Sequence, residues 1–349
     1  MIKIKSDKIE SAFKKHTEAC LNGIKKQIEG FEKALDNNGN KHFSEKIGKL
    51  DPSQKENLKE LLKIISDNLL KEILEKPTSE IDIFIEEHDD LKKYDDLKKY
   101  DGLKEVIKRI FNYEKFIKKG FQLNNGEYWN AYELVKTLNV SVCPYCNRDY
   151  IFTATKLNHD KGTRPELDHF YPQSVYPFFR LSFYNLIPSC HTCNHLKARK
   201  DKEYKFLVSP YIDSLIHDFK FVYIPQDVYS LYGNKNNHKA VDSLNEYGNN
   251  HKVILQKEKR DEIVSLHDKT FLLSSLYSNY GDVIQEMIWK RRIAGKEYIE
   301  KIRKLFNNQF SDSELERLAF GNFLNEEDFH KRPLAKFISD IAKELEMIK

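Results

Sequence analysis

The sequence predicts a mainly α-helical protein with a small α+β centre between helical flanking regions. Three observations carry this. Apolar residues recur at helix-like spacing through residues 1–139 and again through 251–349. Between 140 and 250, Tyr, Phe, Pro, Asn and Gly become denser and short strand-like runs appear. Four of the five cysteines fall in that centre, as Cys143-Pro144-Tyr145-Cys146 and Cys190-His191-Thr192-Cys193. Three domains follow: a helical N-terminal region over 1–139, a cysteine-bearing centre over 140–250 and a helical C-terminal region over 251–349.

The elements can be justified in order. Ile9, Phe13, Ala19, Ile24, Ile28, Phe31 and Leu35 mark a first helix, and Asn37-Asn38-Gly39-Asn40 ends it as a turn. Asp51-Pro52-Ser53 fits a helix start, with Asp51 as N-cap and Pro52 at the first helical position. Leu58, Leu61, Leu62, Ile65, Leu69, Leu70 and Ile73 give that helix one apolar face, and Pro77 lies just beyond its end. A six-residue repeat follows, Asp89 to Tyr94 and Asp95 to Tyr100. That period is too short for a solenoid unit, so the repeat reads as a surface duplication without chemistry. In the centre, Asp149–Phe152 and Phe219–Ile224 read as strands, and Tyr232–Asn237 as a polar loop. Leu266 to Tyr277, Val283 to Ile288 and Arg332 to Met347 return to helical spacing, with Pro333 near the start of the last helix.

The chain has 349 residues and a net charge of only +4, which does not by itself identify a nucleic-acid binder. No apolar run is long enough to span a bilayer, and Met1-Ile2-Lys3-Ile4-Lys5 lacks a secretory h-region. The expected compartment is the reducing cytoplasm, where paired cysteines favour a metal over a disulfide. Cys143, Cys146, Cys190 and Cys193 can close a tetrahedral four-thiolate zinc site. Four thiolates leave no open position, so that zinc is structural. Cys20 stands alone in a helical pattern and reads as a buried, inert thiol.

Between the pairs lie Glu166-Leu167-Asp168-His169-Phe170-Tyr171-Pro172 and Asn185-Leu186-Ile187-Pro188, and Asn194, His195 and Lys197 follow Cys193. Over about Cys143 to Lys200 this set resembles the HNH endonucleases, the His-Me finger or ββα-metal family. The shared features are the Asp-His pair before an aromatic and a proline, the central Asn-Leu, and Cys-x-x-Cys-Asn with a lysine three residues on. The resemblance implies a zinc-stapled ββα-metal nuclease core between the helical flanks. By position, His169 is the general base, a task suited to an imidazole. Asp168 is an oxygen ligand for Mg²⁺ or Mn²⁺, and Asn194 is the second ligand. Asn185 holds the hairpin and orients His169. His191 and His195 stay open as alternative ligands. Glu166 reads as a surface or salt-bridge residue that could assist the metal. Phe170 and Tyr171 read as packing, and His159-Asp160 as a loop pair.

The expected substrate is DNA. Lys197 and Arg199 read as phosphate contacts or as solvated helix lysine and arginine. From Trp289 to Lys304 there are seven Lys/Arg and two Glu, so Lys290, Arg291 and Arg292 form a second phosphate-binding candidate. The alternative to an enzyme is a non-catalytic zinc-stabilised module that binds nucleic acid or docks a partner. Such a module needs the cysteines but not the Asp-His and Asn set. Cys-Pro-Tyr-Cys and Asp-His-Phe-Tyr-Pro-Gln-Ser also resemble HNH subunits that stand beside ATPases in prokaryotic antiphage defence, such as Septu-type systems. No Walker A loop occurs, so an ATPase would be a separate chain. A restriction enzyme or a toxin nuclease would present the same residues.

Overall fold

A computed structural model describes residues 1–39, 41–88, 101–154, 162–198, 203–225, 251–295, 297–307 and 309–348. The six-residue repeat, His159-Asp160, Arg199, the Tyr232–Asn237 loop and Lys296 lie outside the described residues. The fold is mainly helical, and its described strands form three separate two-stranded antiparallel pairs. The chain divides into two compact units, each drawing on separated stretches.

One unit comprises Lys5–Val140 and Phe152–Asn194. Its spine is α1 (Ile9–Leu35), which buries Ala12, His16, Ala19, Cys20, Ile24 and Phe31. Around it stand α2 (Lys41–Ile47), α3 (Pro52–Ile64) and α4 (Asp67–Glu75). Asp51 caps α3 as expected: its carboxylate accepts from the Gln54 amide at 2.8 Å, and the Gln54 side chain accepts from the Asp51 amide at 3.2 Å. The single helix expected through Ile73 is broken, because Ser66 starts a new one. Its hydroxyl accepts from the Leu69 amide at 3.2 Å. The break lets Leu61 and Leu62 on one helix and Leu69, Leu70 and Ile73 on the next all reach the core.

Next come α5 (Ile81–Glu87), α6 (Asp101–Ile110) and α7 (Tyr113–Lys118), the last capped by the Asn112 side chain on the Lys115 amide. Strands β1 (Phe121–Gln122) and β2 (Tyr128–Trp129) pair, and α8 (Ala131–Leu138) follows. Strand β3 (Glu166–His169) pairs antiparallel with β4 (Leu186–Ser189), so that His169 faces Leu186 and Glu166 faces Ser189. Helix α9 (His191–Ala198) follows β4 directly. The β3–β4 connection is tightly packed: Phe178, Phe179, Arg180, Leu181 and Phe183 are all buried.

The other unit comprises Met1–Ile4, Ser141–Ile151 and His195–Lys349. Strand β5 (Phe219–Pro225) pairs antiparallel with β6 (His251–Lys257), which places the expected Phe219–Ile224 strand. Helices α10 (Asp261–Phe271), α11 (Leu273–Tyr277), α12 (Gly281–Ala294), α13 (Tyr298–Leu305) and α14 (Asp312–Phe320) lead to α15 (Ala335–Glu344), which packs on β5. Phe221, Tyr277 and Phe337 meet there. Inside this packing Lys336 Nζ donates to Asp340 at 2.8 Å and to the Phe219 carbonyl at 2.9 Å, so the buried charges are paired and bonded. The last helix starts at Ala335, three residues later than expected, because Leu334 takes the left-handed conformation with φ 63°. The strand expected over Asp149–Phe152 is only a bridge between Val142 and Tyr150. The chain there doubles back around the first cysteine pair, with the Asn147 amide donating to the Cys143 carbonyl at 2.8 Å.

Candidate metal centre and Asp-His site

The two C-x-x-C turns bring four buried thiols together. The sulfurs of Cys143, Cys146, Cys190 and Cys193 all lie within 4.8 Å of one another. Zn–S bonds of about 2.3 Å set tetrahedral sulfurs roughly 3.8 Å apart, so the cluster suits one such ion. In each turn a backbone amide aims at a sulfur: Arg148 N at Cys146 Sγ and Cys193 N at Cys190 Sγ, both at 3.4 Å. No disulfide competes, since all five cysteines are free. This four-cysteine group can hold a metal ion such as zinc. Cys20 is buried as expected, and burial pushes its thiol well up.

Asn147 anchors the first turn. It is left-handed (φ 53°), a conformation that Asn tolerates better than most residues. Its carbonyl accepts from the Leu334 amide at 2.7 Å, its side-chain oxygen from the Lys336 amide at 3.1 Å, and its amide nitrogen donates to the Phe329 carbonyl at 2.9 Å. Tyr277 Oη donates to the Cys146 carbonyl at 2.6 Å. Sequence reasoning missed Asn147; its position directly after Cys-x-x-Cys, where a turn must close, was the available signal.

The Asp-His pair sits at the end of β3. His169 Nε2 donates to the Arg180 carbonyl at 3.1 Å. A carbonyl only accepts, so in the neutral ring Nε2 carries the proton and Nδ1 the lone pair. That carbonyl is held firmly, because Arg180 is 2% exposed and fully engaged. Its guanidinium donates to Gln173 at 2.8 Å, to the Lys108 carbonyl at 3.0 Å and to Glu114 at 2.6 Å. The neighbouring carbonyls are held too. Asn185 Nδ2 donates to Phe179 O at 2.9 Å, and His16 Nε2 to Leu181 O at 2.8 Å. Trp129 Nε1 donates to His16 Nδ1 at 3.3 Å, which fixes that tautomer. Burial lowers the His16 pKa to about 4, while its bond to Leu181 acts the other way. Three successive carbonyls thus each meet a side-chain donor.

Asn185 is saturated. Its oxygen accepts from the Tyr171 amide at 2.6 Å, and its nitrogen also donates to the Tyr171 carbonyl at 3.1 Å. It closes the base of the β3–β4 connection. Tyr171 packs on Tyr176 and Phe170 as expected of core residues, and its hydroxyl reaches Asp82 at 3.1 Å.

Successive strand residues point to opposite faces, so Asp168 and His169 leave β3 in different directions. Tyr113, which sequence reasoning did not single out, spans the two. Its ring packs edge-on against His169 at 4.5 Å, and its phenol lies within electrostatic reach of Asp168. Burial first, with Asp168 and Glu114 assisting against Arg164 and Arg180, pushes this phenol up to about 12. It stays protonated. Asp168 itself is only 4% exposed. Glu166, two residues earlier, shares its nominal face. Asn194 Nδ2 donates to Glu166 at 2.6 Å and His191 Nδ1 donates to it at 2.8 Å. Burial pushes the Glu166 carboxyl up, but these two donors prevail and hold it below its ordinary range. Asn194 and His191 are thus gathered on Glu166, whereas His195 is exposed. Among the described residues, the four cysteines are the one His/Cys/Asp/Glu group compact enough to count as a metal set.

The cationic candidates separate. Lys290 Nζ donates to the Ala319 carbonyl at 3.1 Å and Arg291 Nε to the Leu345 carbonyl at 2.8 Å, so both are turned toward the ends of α14 and α15. Arg292 is exposed. Lys197 is 5% exposed, which removes its reading as a solvated helix lysine.

No family model matches the chain, and no solved structure matches it. A stretch of 106 residues is 23% identical to the Septu protein PtuB of Bacillus thuringiensis. The match covers 30% of this chain and 39% of that protein, so the chain spans well under half of this relative's length.

Proposed function

We propose that the chain is a metal-dependent endonuclease that hydrolyses DNA phosphodiester bonds, with His169 as general base. The observation that carries this reading is the His169 Nε2 bond to the buried Arg180 carbonyl, within a strand–strand–helix element that also bears Asp168 and Asn194. That bond commits Nε2 to donation, so Nδ1 is the nitrogen that takes the proton of the attacking water. The acceptor behind Nε2 also favours the imidazolium that results. Asn185 orients the ring indirectly, by fixing the turn that presents the Arg180 carbonyl.

Asp168 and Asn194 offer oxygen donors, which suit a hard ion such as Mg²⁺ or Mn²⁺. With Nδ2 of Asn194 given to Glu166, its Oδ1 is the atom left to face a cation. When bound, that ion would neutralise the scissile phosphate and stabilise the departing 3′ oxygen. Glu166 holds Asn194 and His191 in place. The zinc of the four cysteines is structural in this reading, because four thiolates complete its shell.

The similarity to the Septu protein PtuB supports a setting in prokaryotic antiphage defence. A separate ATPase chain as partner is part of this proposal. The test is metal dependence. The purified chain should nick plasmid DNA with added Mg²⁺ or Mn²⁺. Asp168→Ala and Asn194→Ala should raise the metal concentration needed and lower the rate together, with zinc content unchanged. Cleavage by these variants with the parental metal requirement would remove both residues from the site. A chain that binds DNA without cutting it would favour the non-catalytic module.

A further inference from the structure

We propose that Arg164 is a phosphate-binding residue of this site, its guanidinium carried on the Tyr132 ring and offered to the nucleic-acid backbone. The proposal deepens the nuclease reading and rests on it for the identity of the ligand.

The position comes first. Arg164 enters β3 two residues before Glu166 and four before Asp168, on the same side of an extended chain by the two-residue period. Thr163 pairs with Ala154 in a bridge, so the backbone here is held extended. The guanidinium carbon lies 5.6 Å from the centre of the Tyr132 ring. Tyr132 is itself fixed at both ends: its amide donates to the Asn130 cap at 2.9 Å, and its hydroxyl donates to the Gly162 carbonyl at 2.8 Å. A ring clamped this way limits the freedom of the arginine above it, which reduces the ordering cost of each bond the arginine makes. Nη1 donates to the Pro165 carbonyl at 2.6 Å, one of five N–H groups on the fork.

The charge comes second. Among the described residues, no carboxylate lies within ion-pair distance of Arg164, in contrast to its neighbours. Arg180 is paired with Glu114, and Arg148 with Asp149. Arg164 is therefore a partly exposed cation, placed over the Tyr132 ring just ahead of the strand that carries the expected base. A planar fork of this kind matches the paired oxygens of a phosphodiester. Of the cations that sequence reasoning favoured, Lys290 and Arg291 each give a donor to a helix-end carbonyl and Lys197 is buried, while Arg292 is exposed.

The test uses the full chain with zinc bound. Affinity for a DNA duplex is measured against salt concentration without added divalent ion, and plasmid nicking is measured with Mn²⁺. Arg164→Ala should weaken binding about tenfold on every sequence tried, since phosphate contacts carry no base code, and should flatten the salt slope by about one unit. Nicking should fall about a hundredfold or more, because the same cation meets the charge that develops on the phosphate. Arg164→Lys should restore the salt slope but only part of the rate, since a lysine is a point charge without the fork. A folded Arg164→Ala that keeps the parental salt slope, or nicks at the parental rate, overturns the assignment. A parental chain that shows the Arg164-dependent slope but cuts nothing keeps the anion site and overturns the nuclease reading instead.

Discussion

At the scale of single residues, the proposed site depends on carbonyl groups that are held in place. In the proposed mechanism His169 acts through the Arg180 carbonyl, and Arg180 is fixed by three bonds that a lysine cannot reproduce. Arg180→Lys should therefore lower kcat at least tenfold while DNA affinity stays near the parental value. Equal losses in kcat and affinity would point to a general loosening of the fold. His16 makes a prediction about pH. Its folded pKa is about 4, against 6.5 for an ordinary histidine. Above about pH 6.5 the ring is neutral in both folded and unfolded chains, and its contribution is complete. As pH falls toward 4 the unfolded chain gains a proton that the folded one refuses, so stability drops by about 1.4 kcal/mol per pH unit, or about 3 kcal/mol across the window. His267, also lowered to about 4 by burial with opposing backbone hydrogen bonds, adds in the same direction. His16→Gln, which can still donate to Leu181, should flatten the fall in melting temperature between pH 6.5 and 4.5. An unchanged pH profile would show that His16 titrates normally.

At the scale of elements, Asn147 ties the first cysteine turn to the start of α15 through two hydrogen bonds and to the Phe329 carbonyl through a third. Asn147→Ala should cost about 2 kcal/mol, because buried backbone groups lose partners. Zinc should still bind. Ser66→Ala should cost about 1 kcal/mol through loss of the α4 cap. Denaturant titration with a constant m-value checks both. Much of this scale was legible in the sequence. Helix α1, the Asp51 cap, strand β5 and the cysteine pairing all follow from local rules of spacing, capping and chelation. What was not legible depended on residues distant in the chain. The break at Ser66 needs the knowledge that both halves of one apolar face must reach the core. The bridge at Tyr150 replaces a strand because the cysteine turn pulls the chain back. The late start of α15 reflects a left-handed Leu334 whose amide serves Asn147. Within the proposed site, Asp168, His169, Asn185 and Asn194 come from their motif. Tyr113, Arg164 and Arg180 carry no motif; folding brings Tyr113 to the hairpin, while Arg164 and Arg180 lie beside and between its strands. Lys290 and Arg291 show the converse: clustered charge suggested phosphate, but each gives a donor to a helix-end carbonyl.

At the scale of the molecule, two kinds of metal chemistry are expected from one chain. The four buried sulfurs should hold one zinc per chain by elemental analysis, and Cys143→Ser or Cys190→Ser should lose it along with the folded centre. A folded chain without metal would contradict that claim. The oxygen donors near His169 should respond to Mg²⁺ or Mn²⁺ while leaving zinc in place. The measurement that bears most directly on the central claim compares plasmid cleavage by the parental chain and by His169→Ala, both with zinc bound and with the same DNA affinity. The account predicts that the parental chain cuts with added Mn²⁺ and that His169→Ala does not. Cleavage by His169→Ala at the parental rate would contradict it.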